Sequence, residues 1–533
     1  MGPLLRHVGR DDATVWVRTD EPCRVEVLGH EQPTFTVAGH HFALVCVEGL
    51  SEPTTYEVLL DGEPTGSGGM IRPICDDVPL RVSFGSCRRV APHHPPYTLR
   101  ADEDDRGCEW DALRALALAV REGARPPDLF LHLGDQVYAD DVDPATMEFI
   151  RSRRDTEGEP GEEVADFDEY CELYRNSWTD PDVAPFLASV PSAMIFDDHD
   201  VHDDWNTSQV WVERMRPKEW WNRRVVAAFM SYWVHQHIGN LAPGDLDDVP
   251  LWPQARAGED ITEALREFAF KADREVEGTR WSFHRDLGNT RIVVMDSRAG
   301  RVLTPGKRRM LDDGEWGWIE EMSRGDHDHV IYASTLPVML GPALHMAEAW
   351  NEAVCNGAWG SWFARLGERI REAVDLEHWS AFRESFISLE ELMLSVAEGR
   401  HGARPASVVV LGGDVHHAYL ARGTFEGSDD HAPVWQAVCS PMRNPLSKRE
   451  RRVIRMGMSR RLAVLARGLA RAAGVKPTRL GWEIVSPGAF FDNQVGTLDL
   501  DGRDAKIRIE KVDERGLHET YTHALASPTG LTR

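Results

Sequence analysis

The sequence predicts an α/β protein with a small β-sandwich ahead of its main domain. Three observations predict it. Residues 1–75 form short runs that alternate apolar and polar positions without a helical period. From Leu80 onward, apolar strand-like runs alternate with amphipathic helical stretches. Five of those later runs end on Cys, Asp or His. A chain of 533 residues, 42% hydrophobic and with 18 Trp, is long and apolar enough for a sizeable core.

In chain order, "TVWVRT", "RVEVLG", "TFTVAG", "FALVCVEGL" and "TTYEVLLDGE" are separated by Gly, Pro and Asp turns, the spacing of a β-sandwich. This defines an accessory domain over residues 1–75 and leaves 76–533 as the main domain. "LRVSFGSC" then reads as a strand, "EWDALRALALAVREG" as an amphipathic helix and "PDLFLHLGD" as the next strand. "SAMIFDDHD", "RIVVMDSR", "HVIYASTLP", "SVVVLGGDVHH" and "VWQAVCSP" are further short apolar runs bounded by turn residues. The acidic stretch 141–185 and the Trp-rich, helix-patterned stretches 203–280 and 340–402 are insertions between them. The chain closes on "GTLDLDGRDAKIRIEKV", a hairpin with Asp-Gly at its turn.

Net charge is −27, which repels nucleic acid and anionic surfaces at long range and leaves no nucleic-acid partner expected. Eight cysteines without a CxxC pair do not make a disulfide framework. No apolar run is long enough to span a bilayer and the N-terminus lacks a secretory h-region, so a cytoplasmic protein is expected. One stretch breaks the acidic pattern. Residues 446–480 hold eleven Lys or Arg and one acid, with Val453, Met456, Leu462, Leu465 and Leu469 at helical spacing. The favoured reading is a surface helix packed on the domain, its arginines paired with the excess carboxylates. Membrane contact through 448–479 is the less favoured one.

The strand endings "SFGSCR", "HLGDQVY", "IFDDHD", "VVMDSR" and "VLGGDVHH" carry the chemistry. A single Asp at such a place caps a turn. Parallel strand ends can lie along one edge of an α/β sheet, so Cys87, Asp135, Asp198, His199, Asp414 and His416 can converge from across the chain. Acids crowded together raise one another's pKa and destabilise a fold unless cations neutralise them.

These blocks, in this order, resemble the PhoD-like (alkaline phosphatase D) family of the metallophosphatase superfamily. "GSCR" puts Cys87 at the first block, "GDQVY" puts Tyr138 where an Asp is usual, "DDHD" puts Asp198 ahead of His199, and "GGDVHH" puts Asp414 before His416. The resemblance implies an αββα sandwich and a metal-dependent phosphoesterase acting on small phosphomonoesters or phosphodiesters. It implies two or more metal ions, Fe(III) and Ca(II), other divalent metals being the alternative. Asp135 would bridge them, Cys87, Tyr138 and His416 would complete the iron site, and Asp198 and Asp414 would suit calcium. Anionic phenolate and thiolate donors favour Fe(III). His199 would donate to the leaving-group oxygen, and Arg298 would clamp the phosphate. The strand "VIYASTLPVM" lacks the His of the superfamily's remaining block, and His345 is a candidate to replace it from a loop. Asp197, Asp200, His202 and His417 are neighbours that a slip of register would bring in. The alternatives are a catalytically silent metal- or phosphate-binding protein and another two-metal ester or anhydride hydrolase.

Overall fold

The computed structural model describes residues 1–76, 78–428 and 430–527. The final residues assigned to the second domain, 528–533, lie outside them. Two four-stranded sheets occupy the N-terminus, one including Asp12–Thr19 and His40–Glu48, the other including Arg24–Val27 and Thr54–Leu60. The sequence reading missed Leu4–Val8, where apolar and basic residues do not alternate cleanly, and Glu63–Ile71, whose Gly-rich sequence has little strand propensity. This module is tied to the rest of the chain by buried polar contacts. Arg6 donates to the carbonyls of His235 and Gln236 at 2.6 and 3.0 Å, and the Trp16 indole donates to Val234 O at 2.9 Å.

The remaining strands form two sheets. In a six-stranded sheet, Ser192–Ile195, Leu129–Leu133 and Leu80–Gly85 run parallel, and Gln494–Asp501, Asp504–Asp513 and Gly516–Ala526 continue it antiparallel. The expected Asp-Gly hairpin supplies two of these strands. In a seven-stranded sheet, Thr290–Met295, His329–Ser334, Ser407–Gly412 and Val434–Val438 are parallel, with antiparallel strands at both edges. Ser407–Gly412 is buried along its whole length between two parallel neighbours, which is why it reads as an unbroken apolar run. The sheets face each other: Trp435 of one donates through its indole to Leu525 O of the other at 2.8 Å. Helix Ala112–Arg121 covers the outer face of the first sheet, and Asp313–Met322 and Arg383–Ala397 cover the second. This is the predicted α/β fold in αββα layers.

The basic stretch forms two helices, Lys448–Gly457 and Arg460–Ala472, and the second packs on Pro342–Cys355. The expected carboxylate pairing is largely missing. Among the described residues its ion pairs are Lys448 with Asp102, Arg451 with Glu109 at 3.8 Å and Arg460 with Glu483 at 4.0 Å. No described helix is long and apolar enough to cross a membrane.

Candidate metal centre and active site

All the predicted site residues follow the C-terminal ends of parallel strands: Cys87, Asp135 and Asp198 from the six-stranded sheet, Arg298, Asp414 and His416 from the seven-stranded one. The sheets meet closely here. Asp414 N donates to Ser86 Oγ at 2.8 Å, and a Cβ on Gly413 would lie 2.6 Å from that oxygen and 2.7 Å from Leu133 O, so only glycine fits. Cys87, Asp135, Asp414 and His416 each adopt a positive φ, between 50° and 60°, unusual for side chains of this kind. Each such residue costs about 1–2 kcal/mol and persists only where the surroundings impose it. Four of the twelve non-glycine residues with positive φ among those described stand together at this edge.

Three tight groups result among the described residues, one of Asp198, His199 and Asp203 and two that share Asp135. Cys87 Sγ and carboxylate oxygens of Asp135 and Asp414 lie within 4.8 Å of one another, as do oxygens of Asp135, Asp197 and Asp198. Asp135 belongs to both of these. Its Oδ1, Asp197 Oδ2 and Asp198 Oδ1 are buried without a hydrogen-bond donor, although the Arg298 guanidinium forms an ion pair with the last at 3.3 Å. Burial, then repulsion from Asp198, Asp197 and Asp414, pushes the Asp135 carboxyl well above the usual range, although His199 opposes this. Burial and the neighbouring carboxylates push the Cys87 thiol up as well. Orphaned anionic oxygens beside a suppressed thiolate are what bound cations would satisfy, and the residues fit a metal pair on that ground.

Tyr138 answers why a phenol follows the Asp135 turn. Its hydroxyl donates to Asp135 Oδ2 at 3.3 Å and accepts from Asn444 Nδ2 at 3.0 Å. Asn444 also accepts, through its carbonyl, from Nδ1 of His416 at 2.7 Å, which leaves His416 Nε2 with its lone pair. Burial holds the His416 pKa down to about 4, so the ring is a neutral donor. His416 lines the cleft but lies outside the tight groups.

His199 packs its ring 4.5 Å from that of Tyr138 and hydrogen-bonds through Nδ1 to Asp140 at 2.9 Å. Burial opposes its protonation, yet Asp140, then Asp135 and Asp198, raise its pKa well above the ordinary value. In the metal-free protein these carboxylates favour the protonated imidazole, Asp140 first. Asp140 closes the "LFLHLGDQVYAD" stretch and went unassigned in the sequence reading. Its only signal was a carboxylate two residues beyond Tyr138.

Two expectations are corrected. Arg298 is fully buried, donates to Asp197, Glu377 and Trp205 O and forms an ion pair with Asp198 Oδ1 at 3.3 Å rather than facing the cleft, so it braces carboxylates instead of clamping phosphate. His345 sits against Phe386 and Trp482, in a separate cavity from the carboxylates, and is no ligand replacement. Of the register neighbours, Asp197 does join the site. Asp200 turns back to accept from the N–H groups of Asp135 and Asp197 at 3.0 and 2.9 Å, fixing both loops. His202 packs among Trp211, Trp220 and Trp221, and His417 stacks on Tyr419.

The groups open into a cleft of about 510 Å³. Its floor holds Asp198, His199, Asp414 and His416, and its rim sets apolar Val374, Val453, Met456 and Leu462 beside the exposed carboxylates of Asp203 and Asp375. Residues 109–262 match the family model described as PhoD-like phosphatase, and residues 1–67 match one described as a domain of unknown function (DUF7800). No curated protein matches the chain. A solved structure titled "Structure of PhoD" superposes with a TM-score of 0.59 at 14% identity, covering 98% of this chain and 90% of that one. At that identity the likeness establishes the fold.

Proposed function

We propose that this chain, which is PhoD-like over residues 109–262, hydrolyses small phosphate esters at the cleft floor. The observation that carries the reading is the pair of anionic groups sharing Asp135, with three carboxylate oxygens lacking donors. Cations held there would neutralise a phosphoryl group and make a water acidic enough to act as a nucleophile near neutral pH. Cys87, Asp135 and Asp414, with Tyr138 and His416 beside them, are the proposed holders of one ion, an iron(III), and Asp135, Asp197 and Asp198 of a second, a calcium. The water gives up a proton to solvent, its oxygen joins phosphorus as the ester P–O bond breaks, and the departing alkoxide takes its proton from His199, which solvent then reprotonates. Asp140 positions that imidazole and keeps it protonated.

The direct test is hydrolysis of mono-aryl and bis-aryl phosphates by one metal-analysed preparation. Turnover supports the phosphoesterase, and the preference between the two substrates says whether the cleft admits a second ester arm. A protein that carries metals and turns over neither substrate is a binding protein or a hydrolase of another class. His199→Gln is expected to lower kcat by about 10²–10⁴ while metal content stays the same. Loss of metal together with activity would instead make His199 a ligand. Tyr138→Phe is expected to abolish a visible charge-transfer band and leave the fold intact. A colourless, fully active wild-type enzyme would remove Fe(III) from the assignment.

A further inference from the structure

We propose that the helical hairpin Lys448–Ala472, together with the outer face of Ser361–Ala373, docks the cleft mouth onto an anionic lipid bilayer. The phosphodiester that enters the site is then lipid-borne, and this substrate half of the inference rests on the phosphoesterase reading above.

The first observation is a helix without a core. Lys448–Gly457 is strongly amphipathic and has a capping box from Ser447 and Glu450, yet none of its residues is buried. Val453 and Met456 stand 62% and 59% exposed. Ten residues are too few to make a helix stable by itself in water, so its apolar face calls for a surface to lie on. The next helix repeats the pattern. Leu462, Leu465 and Leu469 form one stripe at i, i+3 and i+7, with Leu465 67% exposed and Leu469 50%. Trp362 and Phe363 extend the patch from Ser361–Ala373, whose N-terminal end meets the hairpin where Trp359 donates to Ala472 O at 3.2 Å. An apolar area of this kind on an otherwise very acidic molecule marks an interaction site.

Charge decides between occupants. Residues 446–480 carry eleven cations and one acid in a chain of net −27. Arg449, Arg452, Arg461, Arg467 and Arg471 have no ion pair among the described residues. A Debye length of about 8 Å at physiological salt lets this local positive field dominate over the distant acidic surface. Behind the second helix, Arg383, Arg467, Arg471, Lys476 and Arg479 line a cavity of about 460 Å³ with Glu426 as its one acid. Arg383 Nη1 there has no partner. A second copy seated on this face would set cation against cation. A rigid protein would cover the cleft, since Val453, Met456 and Leu462 belong both to the patch and to its mouth. A bilayer satisfies both needs, taking the apolar stripe into its interface and the arginines among its headgroups. The helices lie on such a surface rather than crossing it, as neither is long enough to span.

The test uses the full chain and vesicles of phosphatidylglycerol or of phosphatidylcholine, read by co-sedimentation. Wild type is expected to bind the anionic vesicles at least about tenfold more tightly than the zwitterionic ones. Leu465→Asp/Leu469→Asp is expected to lose at least about tenfold in that binding. The double variant should retain wild-type turnover of a water-soluble aryl phosphodiester. Arg449→Glu/Arg452→Glu is a second variant, expected to lose the anionic preference. Failure of wild type to bind anionic vesicles, or equal binding by both variants, overturns the proposal. So does a stable dimer in solution that both variants dissociate. Vesicle binding without turnover of any ester would leave the docking face standing and remove the phosphoesterase.

Discussion

Asp135→Asn is expected to empty both proposed ion positions and to lower turnover by about three orders of magnitude or more. Asp135 is the one residue common to the two anionic groups, so neutralising it weakens each of them. The variant has a second, less obvious signature in stability. In the metal-free protein the Asp135, Asp197 and Asp414 carboxyls are all pushed above their ordinary range, by burial first and then by one another. An acid with a raised folded-state pKa holds its proton more tightly folded than unfolded. Its contribution is therefore intact at low pH and is lost as pH climbs from about 4 toward the folded value. Asparagine at 135 removes one such group. In chelator, at neutral pH, Asp135→Asn should unfold at a higher temperature than wild type, and the difference should shrink on acidification. With metals present the order should reverse, because wild type alone gains the binding free energy of the ions. Thermal unfolding of the two proteins with and without chelator checks both signs. An unchanged order would mean that the cluster does not bind cations.

The strand endings were legible in sequence because an apolar run stopping at Asp, Cys or His is a local pattern, and the α/β alternation then brings such endings to one edge. What converged on them was less legible. Asn444 holds Tyr138 and His416 together from a proline-bounded loop 306 residues beyond the tyrosine, and nothing local distinguishes it from a turn residue. Asp140 and Asp200 looked like two more acids in acid-rich segments. Only the fold gives one to His199 and turns the other onto backbone N–H groups. The positive φ shared by Cys87, Asp135, Asp414 and His416 has no sequence signature either, since glycine, the usual marker, stands beside these residues rather than at them. The basic stretch shows the converse. Its helices and apolar spacing were readable, but composition alone suggested that the surplus acids would pair with its arginines. The acids are mostly elsewhere, in the cleft and on other faces.

Arg298 separates a structural brace from a substrate clamp, and its replacement should produce the largest loss of stability in the site. The guanidinium is fully buried and contacts Asp197, Asp198 and Glu377. Arg301 adds a second cation to Glu377, donating to its Oε2 at 3.0 Å. Against the cost of burial, Arg298 and Arg301 hold the Glu377 carboxyl well below the usual range. A depressed carboxyl contributes stability that is present above about pH 4.5 and disappears as pH falls toward the folded value, so this brace is acid-labile. Arg298→Met would leave three buried carboxylates without their common counter-charge, at a cost of about 3–5 kcal/mol. Arg298→Lys restores the charge but not the fork that reaches several oxygens at once, so it should recover only part of the loss. Denaturant unfolding of both variants, read beside KM for an aryl phosphate, tells the roles apart. A brace predicts a lowered unfolding midpoint and weakened metal retention, with KM in the folded, metal-loaded fraction close to wild type. A clamp predicts the opposite pattern, an unchanged midpoint and a KM raised by at least about tenfold in Arg298→Lys.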